Sequence, residues 1–138
     1  MSDNSYTIEA IGVIRSELID RKNAPRQGDE GGYEAWLEVN VEMAEGLVGI
    51  NVGDELLLLT WLHQAQRDVL QVHPRGNPNN AIAGVFATRS PDRPNPIGLH
   101  RVTVLAIDGQ RLRVGPIEAI DGTPVVDIKP VLGQISDR

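Results

Sequence analysis

The sequence predicts an all-β protein, mainly antiparallel, folded as one small barrel or sandwich with one or two short helical turns. Three observations carry this expectation. Strand-like stretches recur along the chain, two Asp-Gly dipeptides punctuate them, and helical periodicity is weak throughout. The βα alternation of a doubly wound sheet is missing, and so are Gly-x-Gly-x-x-Gly and the phosphate-binding Gly-x-x-x-x-Gly-Lys.

In chain order, residues 6–15 are rich in Ile and Val around Gly12 and read as the first strand. Residues 23–32 combine Asn, Pro, Gly and charge, the composition of a surface loop. Residues 35–41 alternate: Leu37, Val39 and Val41 face one way, Glu38 and Asn40 the other. A helical turn or two is expected over 41–47, before Gly49. Residues 55–62 are nearly all apolar; their shortness, Gly53 in front and Thr60-Trp61 inside favour a strand over a helix. A second helical turn is expected within 64–72, and a short apolar strand over 82–88. The clearest local feature is a hairpin. Val102, Val104 and Ala106 alternate with Arg101, Thr103 and Leu105, and beyond Asp108-Gly109 Leu112 and Val114 alternate with Arg111 and Arg113. Asp-Gly suits a two-residue turn with positive φ at both positions. A second such pair, Asp121-Gly122, leads into a strand over 125–129.

At 138 residues the chain is one domain's length, and 41% apolar with 23% charged residues is a globular composition. No stretch approaches the roughly 20 apolar residues of a membrane helix. The polar start, residues 1–7, does not read as a signal peptide, so a cytoplasmic location is expected. The chain has no cysteine, which removes disulfides, thiol nucleophiles, iron–sulfur clusters and thiolate zinc sites. The three histidines form no close His-x-His pair, and no metal is expected.

Net charge is −6, unlike a nonspecific nucleic-acid binder. The distribution is uneven, however. Between His63 and Arg101 lie five arginines (Arg67, Arg75, Arg89, Arg93 and Arg101) against Asp68 and Asp92, together with all three histidines. A cationic island on an acidic body suits local handling of anions, though solvated arginines would look the same. Pro91, Pro94 and Pro96 fix φ within this window and push Ser90, Arg93 and Asn95 towards extended geometry. The result is a stiff loop that would present Arg89, Arg93 and Asn95 in set directions, as a ligand site requires.

That loop, Gly84-Val85-Phe86-Ala87-Thr88-Arg89-Ser90-Pro91-Asp92-Arg93-Pro94-Asn95-Pro96-Ile97-Gly98, resembles the signature of the TsaA/VirR/TrmO family. Pro25-Arg26-Gln27, Trp61-Leu62-His63-Gln64 and the stretch Asp121-Gly122-Thr123-Pro124-Val125-Val126-Asp127-Ile128-Lys129-Pro130 resemble three further family segments. The resemblance spans about residues 6–132. It implies a single β-barrel domain over 1–138; many bacterial members of the family carry a further C-terminal domain, and none is expected here. It also implies S-adenosylmethionine as cofactor, a homodimer that builds the cofactor site, and the anticodon loop of tRNA as partner. The implied reaction is methyl transfer to N6 of threonylcarbamoyladenosine at position 37. Carried over residue by residue, the cofactor contacts would be Pro25, Arg26, Gln27, His63, Gln64, Arg89, Leu99 and Glu118, the last standing where the family commonly has Asp.

The acceptor nitrogen is bonded to a carbonyl and is a weak amine, so it should react better as its proton leaves. His63 and Asp127 are the candidate bases; histidine is a residue type that exchanges protons near neutrality. A plainer role for Asp127 is as partner of Lys129. The substrate carboxylate and RNA phosphates call for cations, which assigns Arg75, Arg93 and Lys129, with Asn95, to the substrate. The alternatives are a non-catalytic module binding S-adenosylmethionine or RNA, and a methyltransferase of the same family with another acceptor.

Overall fold

The computed structural model describes residues 4–18 and 33–133. Among the described residues there are eight strands: β1 Gly12–Arg15, β2 Ala35–Val39, β3 Glu55–Trp61, β4 Gln71–Val72, β5 Ala83–Gly84, β6 Ile97–Asp108, β7 Arg111–Gly115 and β8 Pro124–Pro130. Six of them close into a barrel in the order β1-β2-β7-β6-β3-β8, with every neighbouring pair antiparallel. β4 and β5 form a separate two-stranded arm inserted between β3 and β6. Closure leaves no long edge strand exposed to pairing.

Alternation places one residue in two inside the barrel. Ile14, Leu37, Leu58, Val102, Val104, Leu112, Val114 and Val125 fill the interior and are fully buried or nearly so. β6 serves two partners. Its first half pairs with β3, from Ile97 opposite Trp61 to Thr103 opposite Glu55, and its second half pairs with β7. A register shift between Val104 and Ala106 lies where the strand passes from one to the other. Bulges add local twist, and a small barrel needs it at its corners.

Several local expectations change. The first strand begins at Gly12, with backbone bonding reaching back to Ile11, while residues 5–10 are exposed and outside the ladder. The alternation of β2 stops at Val39: Val41 opens the 3₁₀ helix Val41–Leu47 and is 70% exposed. No helix forms within 64–72. Gln66 N–H donates to Asp92 Oδ1 (2.9 Å) and Gln66 carbonyl accepts from Arg93 N–H (3.0 Å), so a distant loop takes the groups a helix would have used. The expected strand over 82–88 is only the two residues of β5, followed by the 3₁₀ turn Val85–Ala87. The β6–β7 turn is Gly109-Gln110, not Asp108-Gly109, because Asp108 pairs with Arg111. Only its glycine has positive φ (61°), as a type II′ turn requires. Gly122 (φ 86°) turns the chain into β8 as expected.

Candidate functional site

β3 carries the site's scaffold. Its inward residues belong to the core, and Leu57, Leu59 and Trp61 face outward between β6 and β8. Leu59 lies between Leu99 on β6 and Asp127 on β8; Leu57 lies between Arg101 and Lys129; Trp61 lies opposite Ile97. Strand pairing therefore brings Leu99, Asp127 and Lys129 onto one outward face, with His63 and Gln64 exposed just beyond the end of β3. Ile97 and Leu99 remain 41% and 48% exposed on this face.

The proline-rich loop packs beside that strand end. Leu62 N–H donates to Pro96 carbonyl (2.8 Å), and Pro96 is buried. Arg67 lies over the Trp61 ring, 5.1 Å from its centroid, and reaches Pro94 carbonyl (2.7 Å) and Asn95 Oδ1 (3.1 Å). With the two Gln66 bonds, these contacts staple residues 62–67 to the loop that follows Thr88. Within the loop, Thr88 Oγ1 donates to Val85 carbonyl (3.0 Å) and accepts from Ser90 N–H (3.1 Å).

Arg93 does not point outward as the sequence suggested. Its guanidinium donates to the carbonyls of Val85 and Thr88 and closes the loop from within. Asn95, expected to meet the substrate, has its side-chain oxygen held by Arg67. Both side chains brace the loop: Arg93 donates to carbonyls at its start, and Asn95 accepts from Arg67 near its end. Arg93→Ala should lower stability by about 2 kcal/mol, since hydrogen bonds from a charged group carry roughly 1.5–3 kcal/mol. Faster amide exchange confined to residues near 85–90 would locate the loss, and an unchanged thermal midpoint would refute the brace.

The cationic island thus contracts. Arg67 and Arg93 hold the loop, and Arg101 pairs with Glu55 at 2.9 Å. That hydrogen bond and its charge hold the Glu55 carboxyl below its usual range. Arg89 is exposed, as is Arg75, which sits at the tip of the β4–β5 arm with a left-handed backbone (φ 59°). Asp127 pairs with Lys129 (3.1 Å) through Oδ2 and accepts from Ile128 N–H (2.9 Å) through Oδ1. Glu118 stands apart, on the β7–β8 connection next to Ile117, whose N–H donates to Tyr33 carbonyl (2.9 Å). Glu118 is half-buried. Pro25, Arg26 and Gln27 lie outside the described residues. Among the described residues no cluster of three or more His, Asp or Glu could hold a metal ion, and no helix is long and apolar enough to cross a membrane.

Sequence reading missed Arg67 as a brace and missed the polar pair inside the barrel. Thr60 is fully buried, and its Oγ1 lies 2.9 Å from His100 Nε2. Burial pushes the His100 pKa down to about 4. Gly98 leaves the room: a Cβ there would collide with Thr60 Oγ1 and lie 3.0 Å from His100 Nε2. Neither feature had a local signal, because each depends on pairing across about 30–40 residues of sequence.

A closed barrel with a side-chain-braced loop beside one strand end defines a class: a small antiparallel β-barrel, distinct from the open parallel sheets that hold nucleotides at a topological switch point. Within that class the comparisons agree. The profile of the tRNA-methyltransferase O N-terminal domain matches residues 13–137, and the chain belongs to that family. A probable S-adenosyl-L-methionine-binding protein of Methanothermobacter thermautotrophicus is 42% identical over 130 residues, covering 94% of this chain and 93% of the relative. An S-adenosyl-L-methionine-binding protein of Archaeoglobus fulgidus is 41% identical over 122 residues, covering 88% and 86%. The crystal structure of TrmO from Pseudomonas aeruginosa superposes with a TM-score of 0.74 at 31% identity, over 97% of this chain. This chain spans 60% of that longer protein.

Proposed function

We propose that this protein is an S-adenosylmethionine-dependent methyltransferase that methylates N6 of threonylcarbamoyladenosine at position 37 of tRNA. The single observation that carries the reading is the loop of residues 84–98. It is the stretch that resembles the family signature, it is braced from within by Arg93, and it leaves Arg89 exposed. The named relatives support the cofactor.

The residues present fit such a molecule. Arg89 offers a guanidinium for its carboxylate, and Gln64 and His63 offer polar edges. Leu59 and Leu99 offer an apolar strip; Glu118, which stands apart from them, enters by family resemblance as a carboxylate for ribose hydroxyls. Pro25, Arg26 and Gln27 complete the set by family resemblance. When bound, S-adenosylmethionine supplies an electrophilic methyl group on sulfur. The protein's part is to orient the acceptor and take its proton. Positioning of this kind lowers barriers by roughly 7–11 kcal/mol in well-oriented systems. Among the described residues His63 makes no side-chain hydrogen bond, whereas both Asp127 oxygens are engaged. His63 is therefore the proton acceptor in this reading, and the Asp127–Lys129 pair orients, with Lys129 and Arg75 facing anionic groups of the RNA. Ile97 and Leu99 lie on an open face, and a second copy of the chain set against it would cover them and complete the site as a homodimer.

Calorimetric titration with S-adenosylmethionine tests this. Saturable binding is expected, weakened at least tenfold by Arg89→Ala, since a hydrogen-bonded charge pair contributes about 1.5–3 kcal/mol. Nucleoside analysis of tRNA bearing threonylcarbamoyladenosine should then show a gain of one methyl group. Binding without methyl transfer would instead favour a non-catalytic module.

A further inference from the structure

Phe86 is the chain's one phenylalanine, and it is 80% exposed. The backbone beneath it is tightly held. Val85 N–H donates to Leu70 carbonyl (2.9 Å), Thr88 N–H donates to Val85 carbonyl (3.1 Å), and Arg93 bonds the carbonyls on both sides. Val85, fully buried, takes the inward position, and Phe86 is left on the outside. Both tryptophans are covered by guanidinium groups, Trp36 by Arg111 at 4.3 Å and Trp61 by Arg67 at 5.1 Å. Among the described residues Phe86 has no such cover. Arg89, exposed, stands three residues on.

A solvent-facing aromatic ring on a held backbone, with an exposed arginine three residues on, suits a nucleobase with an anionic group attached: the base stacks, and the cation meets the carboxylate or phosphate. We propose that Phe86 is a nucleobase-stacking platform on the backbone that Arg93 braces. The proposal rests on the function proposed above and names a contact for it. Two sources present the same chemistry, the adenine of S-adenosylmethionine and an unpaired base of the RNA acceptor.

The full chain and its Phe86→Ala, Phe86→Leu and Phe86→Trp variants are titrated with S-adenosylmethionine and, separately, with a single-stranded oligoadenylate. Phe86→Ala should weaken one of the two roughly 5- to 150-fold, as loss of one aromatic–base stack does. Phe86→Leu should stay weak and Phe86→Trp should recover. The ligand that loses affinity identifies the source. Unchanged affinity for both overturns the proposal, and so does full recovery with leucine, which would make the contact merely apolar. A Phe86→Ala variant that sediments as a smaller species with both affinities intact also overturns it and assigns Phe86, with neighbouring exposed Leu70, to a protein contact. If the unmodified protein binds the oligonucleotide but not S-adenosylmethionine, the proposed function fails and the RNA titration alone decides the platform. Binding of neither overturns both.

Discussion

Gly12→Ala is expected to destabilise the barrel by about 3 kcal/mol or more, because its methyl group has nowhere to go. A Cβ at this position would collide with the Glu38 carbonyl oxygen and lie 3.1 Å from Val39 Cα. Both obstacles are backbone, so no side-chain rotation relieves them. Gly12 also lies between two partners, Val39 on β2 and Val125 on β8, so β1 cannot shift without opening a ladder on one side. For a chain of this size the thermal midpoint should fall by roughly 10 °C. Gly46→Ala is the control, since nothing lies within 4 Å of its added Cβ, and it should stay within about 0.5 kcal/mol of the parent. Equal midpoints for the two variants would refute the close approach of β1 and β2.

The second large effect is a dependence on pH set by His100. Its buried imidazole holds a pKa of about 4, against 6.5 for an exposed histidine. Between these values the unfolded chain binds a proton that the folded barrel refuses. Stability is therefore full above about pH 6.5 and falls as the pH drops towards 4, by about 3 kcal/mol in all. Denaturant midpoints taken from pH 7 to 5 would read this before most carboxylates titrate. His100→Gln, which keeps a partner for Thr60 and cannot charge, should flatten that part of the profile. Identical slopes for parent and variant would remove His100 as the cause. The pair matters for the site as well, since His100 follows Leu99 directly in β6. Acid loosening of the Thr60–His100 contact should weaken ligand binding at the Leu99 face.

Much of the barrel was legible in the chain because its signals are local. The alternation around Leu37, Leu112 and Val114, the apolar run of β3, and the glycines at 109 and 122 each set their own backbone geometry. Misreadings occurred where distant partners decide. Residues 64–72 have a helical composition, yet Asp92 and Arg93 capture the backbone of Gln66. Residues 82–88 read as apolar strand, yet only Ala83–Gly84 finds a partner, in β4, and Val85 alone turns fully inward.

The site divides in the same way. Residue types and proline spacing in residues 84–98 are properties of the sequence, and by themselves they determined the family, a stiff loop and the presence of arginines. Which arginines remain available was decided by the tertiary structure. Arg93, Arg67 and Arg89 are chemically alike, and the chain marks none of them. The first two donate to the carbonyls of Val85, Thr88 and Pro94, which the fold brings within their reach, and Arg89 is left exposed. Hydrogen-bond satisfaction sums over neighbours from the whole fold, and those neighbours come together only when the barrel closes.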